Sequence, residues 1–391
     1  MKTLNDINFQ NKTVLLRADL NVPLDDQLKI TNTARIRGFA PTAKKIIEAG
    51  GKIVLISHLG RPKGEANPKF SLKSVQEEVA EETGTTVHFA ADCIGDEAER
   101  MAKELKGGEI LLLENLRFHA GEKSGDSEFA KKLAGLADIY VNDAFGTAHR
   151  AHASMVAVAD LLTEKAAGLL MEKEIEYFEK ALVNPKRPLC VVLGGAKISS
   201  KLPVLQNLSG KADAIIIGGA MANTFLAQAG ADVGTSLYEP EMFGEVAGLL
   251  KILEDNSCKL HLPIDFKVAK AFSATAADAT VAANEIPVDM MALDIGPKSA
   301  KNFAEVIMGM ATIVWNGPMG ACENPAFAEG TLALTKAIAD SSALSVVGGG
   351  DTVAAVEQMK LAEHFDFLST GGGAFLELME GKELPGIVAL G

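Results

Sequence analysis

The sequence predicts an α/β protein of two or three domains built on parallel sheets. Its 391 residues exceed the roughly 150 of an average domain. Short apolar runs of strand length alternate with helical patterns along the whole chain. Several of these runs end in glycine or arginine clusters, as is typical of the carboxyl ends of parallel strands, where ligands bind.

The first half contains five apolar runs of strand length. Helical patterns such as those at 33–49 and 72–82 separate most of them. A parallel sheet with crossover helices is the simplest arrangement that fits this alternation. The predicted strands are Thr13–Arg17, Lys52–Ser57, Thr86–Ala90, Glu109–Glu114 and Asp138–Asn142.

Basic residues follow these strands although the chain is acidic. The net charge of −13 argues against nucleic acid or an anionic membrane as partner. All eight arginines nevertheless lie in the first 187 residues, and four of them are at strand ends. Arginine suits bidentate recognition of phosphate and carboxylate, so this edge predicts a small, multiply anionic ligand. In the alternative, each arginine pairs with a nearby carboxylate, for example Arg17 with Asp19. The clusters are Arg17–Pro23, His58–Pro62, Asn115–Arg117 and Asp143–Arg150.

A charged amphipathic helix is predicted over 168–182, where the composition of the chain changes. It ends at Asn184–Pro188, because two prolines stop it and set the next strand apart. We interpret it as a connecting helix between domains.

The second half repeats a pattern of apolar strand followed by glycines. Leu189–Leu193 leads into Gly194-Gly195, and we expect a helix to start directly afterwards. Backbone N–H groups and glycines there would accommodate an anion, and Lys197 and Lys201 would share a helix face. Two solvated lysines are the alternative. Neither standard nucleotide fingerprint is present. Further glycine clusters are Gly218-Gly219, Gly348–Gly350 and Gly371–Gly373.

Other classes of protein are disfavoured by what the sequence lacks. No segment reaches the ~18 apolar residues of a membrane span, and no signal-peptide pattern is visible, so we expect a cytoplasmic protein. The four cysteines are far apart and form no C-x-x-C. We therefore expect reduced thiols, with neither a disulfide framework nor a zinc site.

These motifs together resemble the phosphoglycerate kinase family over essentially the whole chain. The resemblance implies two Rossmann-like domains with parallel sheets flanked by helices, joined by a connecting helix and hinge. The implied segments are 1–167 for the acid substrate, 168–188 as connector and hinge, 189–370 for the nucleotide, and 371–391 returning towards the first domain. The matching stretches are Arg17–Pro23, His58–Pro62, Asn115–Phe118, Asp143–Ser154, Gly194–Lys201, Trp315–Pro318, Gly348–Thr352 and Ser369–Ala374.

The resemblance also implies an activity of glycolysis. A phosphoryl group passes reversibly between 1,3-bisphosphoglycerate and ADP, giving 3-phosphoglycerate and ATP. The implied enzyme is a cytoplasmic monomer that needs Mg²⁺ and transfers the group directly, in line, on domain closure. Its partners are these small molecules, not nucleic acid or membrane.

Roles for individual residues follow from the resemblance alone. Arg35, Lys197, Gly371 and Gly372 would face the phosphoryl group in flight, and Asp351 would carry the magnesium ion. The acid would bind to Asp19, Asn21, Arg35, His58, Leu59, Gly60, Arg61, Arg117 and Arg150. The nucleotide would bind to Lys201, Asn316, Glu323, Gly349, Gly350, Asp351 and Thr352.

Some features depart from the family, and two other functions stay open. Ala321-Cys322 precedes Glu323 where an aliphatic-Phe pair is commoner, Ser200 replaces a usual Asp, and the C-terminal tail is short. An NAD-dependent dehydrogenase is disfavoured by the missing fingerprint. A non-catalytic two-domain anion-binding protein is disfavoured by the missing signal peptide and by two separate cation clusters.

Overall fold

The computed structural model describes every residue, Met1–Gly391, and forms two units. Unit 1 comprises Met1–Ile175 and Glu383–Gly391, and unit 2 comprises Glu176–Lys382. Each contains a six-stranded, wholly parallel sheet flanked by helices, which confirms the predicted fold class. The division into four segments made from the sequence stays a prediction.

The sheet of unit 1 has the strand order β3-β4-β2-β1-β5-β6. The central strands read as continuous Val, Ile and Leu because helices cover both faces of a parallel sheet. In the register, Val14 lies opposite Ile53 on one side and Ile139 on the other. The strands are β1 (Thr13–Ala18), β2 (Lys52–Ile56), β3 (Val87–Ala90), β4 (Ile110–Leu113), β5 (Ile139–Asp143) and β6 (Glu164–Ala167).

The first three helices of unit 1 pack onto this sheet. The first buries Ile36 and Phe39, and the second ends at Gly84, whose φ of +69° forms a left-handed C-terminal cap. The helices are α1 (Ala34–Glu48), α2 (Gln76–Thr83), α3 (Asp96–Glu104), α4 (Ala120–Ser124), α5 (Ser127–Ala134) and α6 (Val158–Leu161), while α7 (Leu169–Phe178) begins in unit 1 and ends in unit 2.

Unit 2 contains one parallel and one antiparallel sheet. The parallel sheet has the order β15-β14-β13-β7-β8-β9, and a small antiparallel sheet has the order β11-β10-β12. Trp315 is fully buried in the core of the parallel sheet. The strands are β7 (Leu189–Leu193), β8 (Ala214–Ile217), β9 (Lys259–His261), β10 (Asp265–Ala269), β11 (Ala279–Ala282), β12 (Met291–Ile295), β13 (Thr312–Asn316), β14 (Leu344–Gly348) and β15 (Phe367–Leu368).

Seven helices belong to unit 2, and the last helix of the chain belongs to unit 1. In that last helix, the Gly386 N–H donates to the Ala148 carbonyl at 2.8 Å. No helix of the protein is both long and apolar enough to cross a membrane. The helices are α8 (Leu202–Leu208), α9 (Met221–Gln228), α10 (Phe243–Asp255), α11 (Pro297–Met308), α12 (Glu329–Ala339), α13 (Gly350–Gln358), α14 (Gly373–Met379) and α15 (Pro385–Val388).

The prediction of a helix directly after Gly195 is wrong. Residues 194–201 are irregular, and α8 begins only at Leu202, so Lys197 and Lys201 do not share a helix face. Tertiary contacts outweigh local preference here, because Ser199 donates through its N–H and its hydroxyl to Glu239, at 3.0 and 2.6 Å. Pro203 then occupies the first turn of α8, a position that favours a helix start.

Candidate active site

A cavity of about 550 Å³ lies in unit 1 at the carboxyl ends of β1, β2, β4 and β5. Five cationic side chains, three histidines and a single carboxylate line it. Such an excess of positive charge in a concave site suits a multiply charged anion. The lining residues are Asp19, Asn21, Arg35, His58, Gly60, Arg61, Arg117, Lys123, Gly146, Thr147, His149, Arg150 and His152.

The single carboxylate, Asp19, is paired within the protein. Arg35 Nη1, from the first turn of α1, lies 3.2 and 3.1 Å from its two oxygens and also donates to the Asn21 carbonyl at 2.9 Å. Asn21 in turn accepts from the Gly60 N–H at 2.7 Å. These contacts join the loops after β1 and β2 into one wall of the cavity.

Arg17 does not pair with Asp19, contrary to the alternative considered from the sequence. Its buried guanidinium donates from Nε to Ser154 Oγ at 3.0 Å, from Nη2 to His58 Nδ1 at 3.2 Å, and also to the Ala18 carbonyl. Burial, and then the charge of Arg17, hold the pKa of His58 well below its usual value. His58 is therefore neutral at pH 7, and its Nε2–H is free to donate to an anion.

Arg117 has unsatisfied donor capacity. Its Nη1 donates to the Gly60 carbonyl at 2.8 Å, but its buried Nε has no hydrogen-bond partner. Burial, and then the charge of Arg17, lower the pKa of Arg117. Arg61 and Arg150 are exposed at the same cavity. An unpartnered buried donor among several cations indicates a site that an anion completes.

A buried carboxylate, Glu122, lies beneath this wall and was not anticipated from the sequence. It accepts from the N–H and hydroxyl of Ser154 at 3.0 and 2.7 Å, and His152 Nδ1 lies 3.6 Å away. Burial alone would raise the pKa of Glu122, but His152, Arg17 and Ser154 outweigh it and lower the pKa. This anion balances the buried charge of Arg17.

Of the nine residues assigned to the acid, eight line this cavity, and Leu59 does not. Leu59 is buried, and its carbonyl accepts from Asn115 Nδ2 at 2.7 Å. The residue-by-residue assignment omits five further lining residues, although Gly146, Thr147 and His149 lie within the predicted Asp143–Arg150 cluster. The five are Lys123, Gly146, Thr147, His149 and His152.

Unit 2 has two neighbouring cavities that share Gly195 and Pro318. The smaller one, of about 300 Å³, lies where β7, β13 and β14 end. It is rich in glycine, so its wall is largely main chain. The lining residues are Gly194, Gly195, Lys201, Asn316, Gly317, Pro318, Gly349, Gly350, Asp351, Thr352, Gly372, Gly373 and Leu376.

The polar side chains of the smaller cavity are held in place. Lys201 Nζ donates to Asn316 Oδ1, and burial lowers the pKa of this lysine. Thr352 Oγ1 accepts from the Gly317 N–H at 2.7 Å, which leaves the hydroxyl hydrogen free to donate. Asp351 is exposed in the first turn of α13. Backbone N–H groups, a lysine and a carboxylate at a helix N-terminus are suited to phosphate and a divalent cation.

The larger cavity, of about 500 Å³, is mostly apolar. Glu323 is its single acidic side chain, and Tyr238 and Phe272 supply aromatic surface. A mostly apolar cavity with one acidic group next to a phosphate-type site suits a nucleoside. Of the residues assigned to the nucleotide only Glu323 lies here; Gly219 belongs to a predicted glycine cluster, whereas Leu237, Tyr238, Phe272 and Leu293 belong to no motif of the sequence.

Two predicted residues, Lys197 and Gly371, line none of these cavities. Lys197 is exposed in the irregular segment before α8, where its carbonyl accepts from Ser200 Oγ at 2.8 Å. Gly371 is buried, and its N–H donates to Ser369 Oγ at 3.1 Å. The adjacent Gly372 lines the smaller cavity with a φ of +43°.

Comparison with known proteins shows to which family this chain belongs. The family model for phosphoglycerate kinase matches residues 4–382. A phosphoglycerate kinase from Desulfotalea psychrophila is 50% identical over all of both chains. The chain belongs to the phosphoglycerate kinase family. A relative from Triticum aestivum, named cytosolic phosphoglycerate kinase, is 49% identical over 99% of this chain and 97% of its own.

Solved phosphoglycerate kinase structures agree. The structure of phosphoglycerate kinase from Coxiella burnetii matches with a TM-score of 0.91 and 39% identity, covering 99% of this chain and 98% of that one. The enzyme from Pyrococcus horikoshii gives a TM-score of 0.84 at 35% identity, over 100% and 98%.

The predicted family, fold and enzyme class are thus confirmed. The chain is an ATP-using kinase of glycolysis, a transferase with a carboxyl group as acceptor, and its substrates are small molecules. Neither the dehydrogenase nor the non-catalytic alternative is supported.

Proposed function

We propose that unit 1 binds the acid substrate and unit 2 the nucleotide, and that the phosphoryl group passes directly between them. The observation that carries this proposal is the unit 1 cavity, where Arg117 Nε is buried without a partner among five cations. The glycine-rich and apolar cavities of unit 2 are chemically different and suit a nucleotide. The two substrates therefore have separate sites.

In this proposal 3-phosphoglycerate occupies the cationic cavity. Arg61, Arg117 and Arg150 neutralise its phosphate, since guanidinium groups form bidentate hydrogen bonds with such anions. Neutral His58 donates from Nε2, and Asn21 with Gly60 fixes the wall. Asp19 keeps Arg35 oriented, so that Arg35 is available near the carboxyl end that accepts the phosphoryl group.

The nucleotide spans the two cavities of unit 2. Its base and ribose enter the apolar cavity, with Glu323 as the hydroxyl acceptor, and its phosphates lie against Lys201, Asn316 and residues 349–352. Asp351 would hold Mg²⁺, because this ion is commonly bound by one carboxylate together with substrate phosphates. When bound, the ion neutralises charge on the phosphate oxygens.

The transfer needs no nucleophilic side chain, since in-line positioning and charge stabilisation suffice for phosphoryl transfer. Arg35 from unit 1, and Lys197 with the Gly371-Gly372 main chain from unit 2, act on the group in flight. Because groups of both units must reach one phosphoryl group, the reaction requires domain closure, with hinges near 184–188 and 369–373. We propose a cytoplasmic monomer as the working form.

Calorimetric titration of each substrate separately tests the assignment. We expect Arg61→Ala to weaken 3-phosphoglycerate binding by about 10- to 100-fold, the effect of losing a charge-assisted hydrogen bond, and to leave Mg-ADP affinity unchanged. Arg61 is exposed and donates no hydrogen bond to the protein, so its loss does not disturb the fold. Arg100→Ala is the matched control, because Arg100 is exposed on α3 and pairs only with Glu104. Equal losses for both ligands, or unchanged acid affinity, would contradict the proposal.

A further inference from the structure

A second cluster of metal-ligating side chains lies in unit 1 outside the cavities described above. Asp92, Cys93 and His119 each offer one ligand atom, and these three atoms lie within 4.8 Å of one another. The cluster shares no residue with the acid cavity. The sequence predicts no zinc site here, because Cys93 and His119 lie 26 residues apart and no cysteine motif is present.

Sheet topology explains how these residues come together. Asp92 and Cys93 follow β3, and His119 follows β4, its neighbour in the sheet. Both strands run in the same direction, so the segments after them meet at one edge. The His119 ring is further fixed by stacking on Phe129, with ring centroids 5.3 Å apart. The imidazole is thus held before any ion binds.

We propose that Asp92, Cys93 and His119 form a binding site for Zn²⁺ or a similar borderline-soft divalent cation. Thiolate, imidazole and carboxylate are the ligands of zinc, whereas Mg²⁺ prefers oxygen alone. Bond lengths of about 2.0–2.3 Å place tetrahedral ligands roughly 3.3–3.7 Å apart. The present spread of up to 4.8 Å requires only small side-chain movements to reach that geometry.

The charge of the ligands in the bound state and the solvent exposure of the cluster both favour binding of the ion. With the ion bound, Cys93 and Asp92 contribute two negative charges, which a divalent cation neutralises. Burial and the charge of Asp92 raise the pKa of the free Cys93 thiol well above its usual value, so the thiol proton leaves to solvent only as the Zn–S bond forms. Cys93 is buried, while the side chains of His119 and Asp92 are 29% and 51% exposed. The ion can enter from the Asp92 side, and a water completes the fourth position.

Binding of the ion would change the contact between His119 and Asp92. His119 Nε2 lies 2.6 Å from Asp92 Oδ1, which also accepts from the Cys93 N–H at 2.6 Å. Zn²⁺ would separate Nε2 from the carboxylate by roughly 1 Å and bind to both. A purely structural ion pair would keep this contact and bind no metal.

Titration of the chelator-stripped full chain with Zn²⁺, in excess Mg²⁺ and without substrates, tests the site. We expect one equivalent to bind, and affinity to fall at least about 100-fold in Cys93→Ser and in His119→Ala, since outer partners of metal ligands alone are worth 10- to 100-fold. Cys258→Ser and His88→Ala are matched controls: Cys258 is a buried free thiol, and His88 Nε2 lies 3.3 Å from Glu109. Both controls should bind as the wild type does.

Co²⁺ gives an independent readout on the unaltered protein. A thiolate ligand produces a sulfur-to-cobalt charge-transfer absorption, which we expect on adding one equivalent. Absence of that absorption, or Zn²⁺ affinity unchanged by Cys93→Ser and His119→Ala, would overturn the site. Equal losses in the control variants would also overturn it. Because no substrate is present, the outcome is independent of the proposed substrate assignment.

Discussion

Buried charged side chains set the shape of the acid cavity without lining it themselves. Arg17 is completely buried and donates to Ser154, His58 and the Ala18 carbonyl. Glu122, also buried, holds Ser154 from the other side. Breaking a buried charged pair from one side is strongly destabilising. Arg17 and Glu122 are therefore positioning residues, and the exposed arginines are left to bind the substrate.

We propose that Lys197 acts mainly on the phosphoryl group in flight. We expect Lys197→Ala to lower kcat by two to three decades with a smaller change in the KM values, the scale of losing one preorganised donor in the transition state. Steady-state kinetics with ATP and 3-phosphoglycerate checks this. Lys251→Ala, which removes an exposed lysine of α10, serves as control and should leave kcat unchanged.

An unchanged kcat with only a raised KM for nucleotide would show that Lys197 contributes to ground-state binding alone. The mutated side chain is exposed, so a loss of folding does not complicate the comparison. Circular dichroism of both variants verifies this.

The sequence allowed the cationic residue types of the site to be predicted, but not their supports. Arg61, Arg117 and Arg150 follow strand ends and stand out in an acidic chain. Glu122 lies in a segment without such a signal, and only the folded chain links it to Arg17 through Ser154. Partners that are distant in sequence leave no local pattern.

Strands and helices are likewise predictable only where a local pattern in the sequence marks them. The continuous apolar run Leu189–Leu193 predicts β7 with its observed bounds. Strands β9 to β12 are short, and several of their residues are partly exposed, so no apolar run marks them. The segment after β7 was wrongly assigned to a helix because contacts from Ser199 to Glu239 hold it in another conformation.

Gly194 lets β7 approach the loop after β13. A Cβ at this position would clash with the carbonyl oxygens of Gly317 and Pro318, which line the smaller cavity of unit 2. We expect Gly194→Ala to destabilise the protein by about 1–3 kcal/mol through overpacking and to raise the KM for nucleotide, but not that for the acid. Urea unfolding and kinetics measure the two effects.

Gly244→Ala is the control for this substitution. Gly244 lies in α10, and an added Cβ would meet no atom within 4 Å. Alanine favours a helix over glycine by roughly 1 kcal/mol, so this variant should be as stable as the wild type or more so. A nucleotide KM unaffected by Gly194→Ala would contradict the role given to this turn.

Asp143 caps α7, and its contribution to the stability of the protein depends on pH. Its Oδ1 accepts from the N–H groups of Leu170 and Met171 at 2.9 and 3.0 Å, yet burial raises its pKa to about 6. The native state thus binds this proton more tightly than the unfolded state. The stabilisation is complete below the unfolded pKa near 4 and is lost as pH rises through about 6.

Asp143→Asn removes this titration and keeps an oxygen for the α7 N–H groups. We expect the free energy of unfolding of the wild type, relative to the variant, to fall by roughly 1 kcal/mol between pH 5 and pH 8. Urea unfolding followed by circular dichroism at both pH values measures the difference. If the difference in unfolding free energy stays constant or grows with pH, burial does not raise the pKa of Asp143.

Each of the two units has cavities of its own. The arginine-rich cavity is built entirely from unit 1, and the glycine-rich and apolar cavities entirely from unit 2. One substrate alone therefore gains little from closure. With both bound, the phosphoryl group can be shared by Arg35 and by Lys197 with Gly371-Gly372, and a ligand shifts a conformational equilibrium only through such differential contacts. Closure also excludes water from the reactive group.

Small-angle X-ray scattering tests this cooperation between the units most directly. The radius of gyration would be measured for the free enzyme, with Mg-nucleotide, with 3-phosphoglycerate, and with both. We predict an appreciable fall when both substrates are present and a much smaller one with either alone. A radius of gyration that stays unchanged in the ternary complex, in protein shown to be active in the same buffer, would contradict direct transfer on closure.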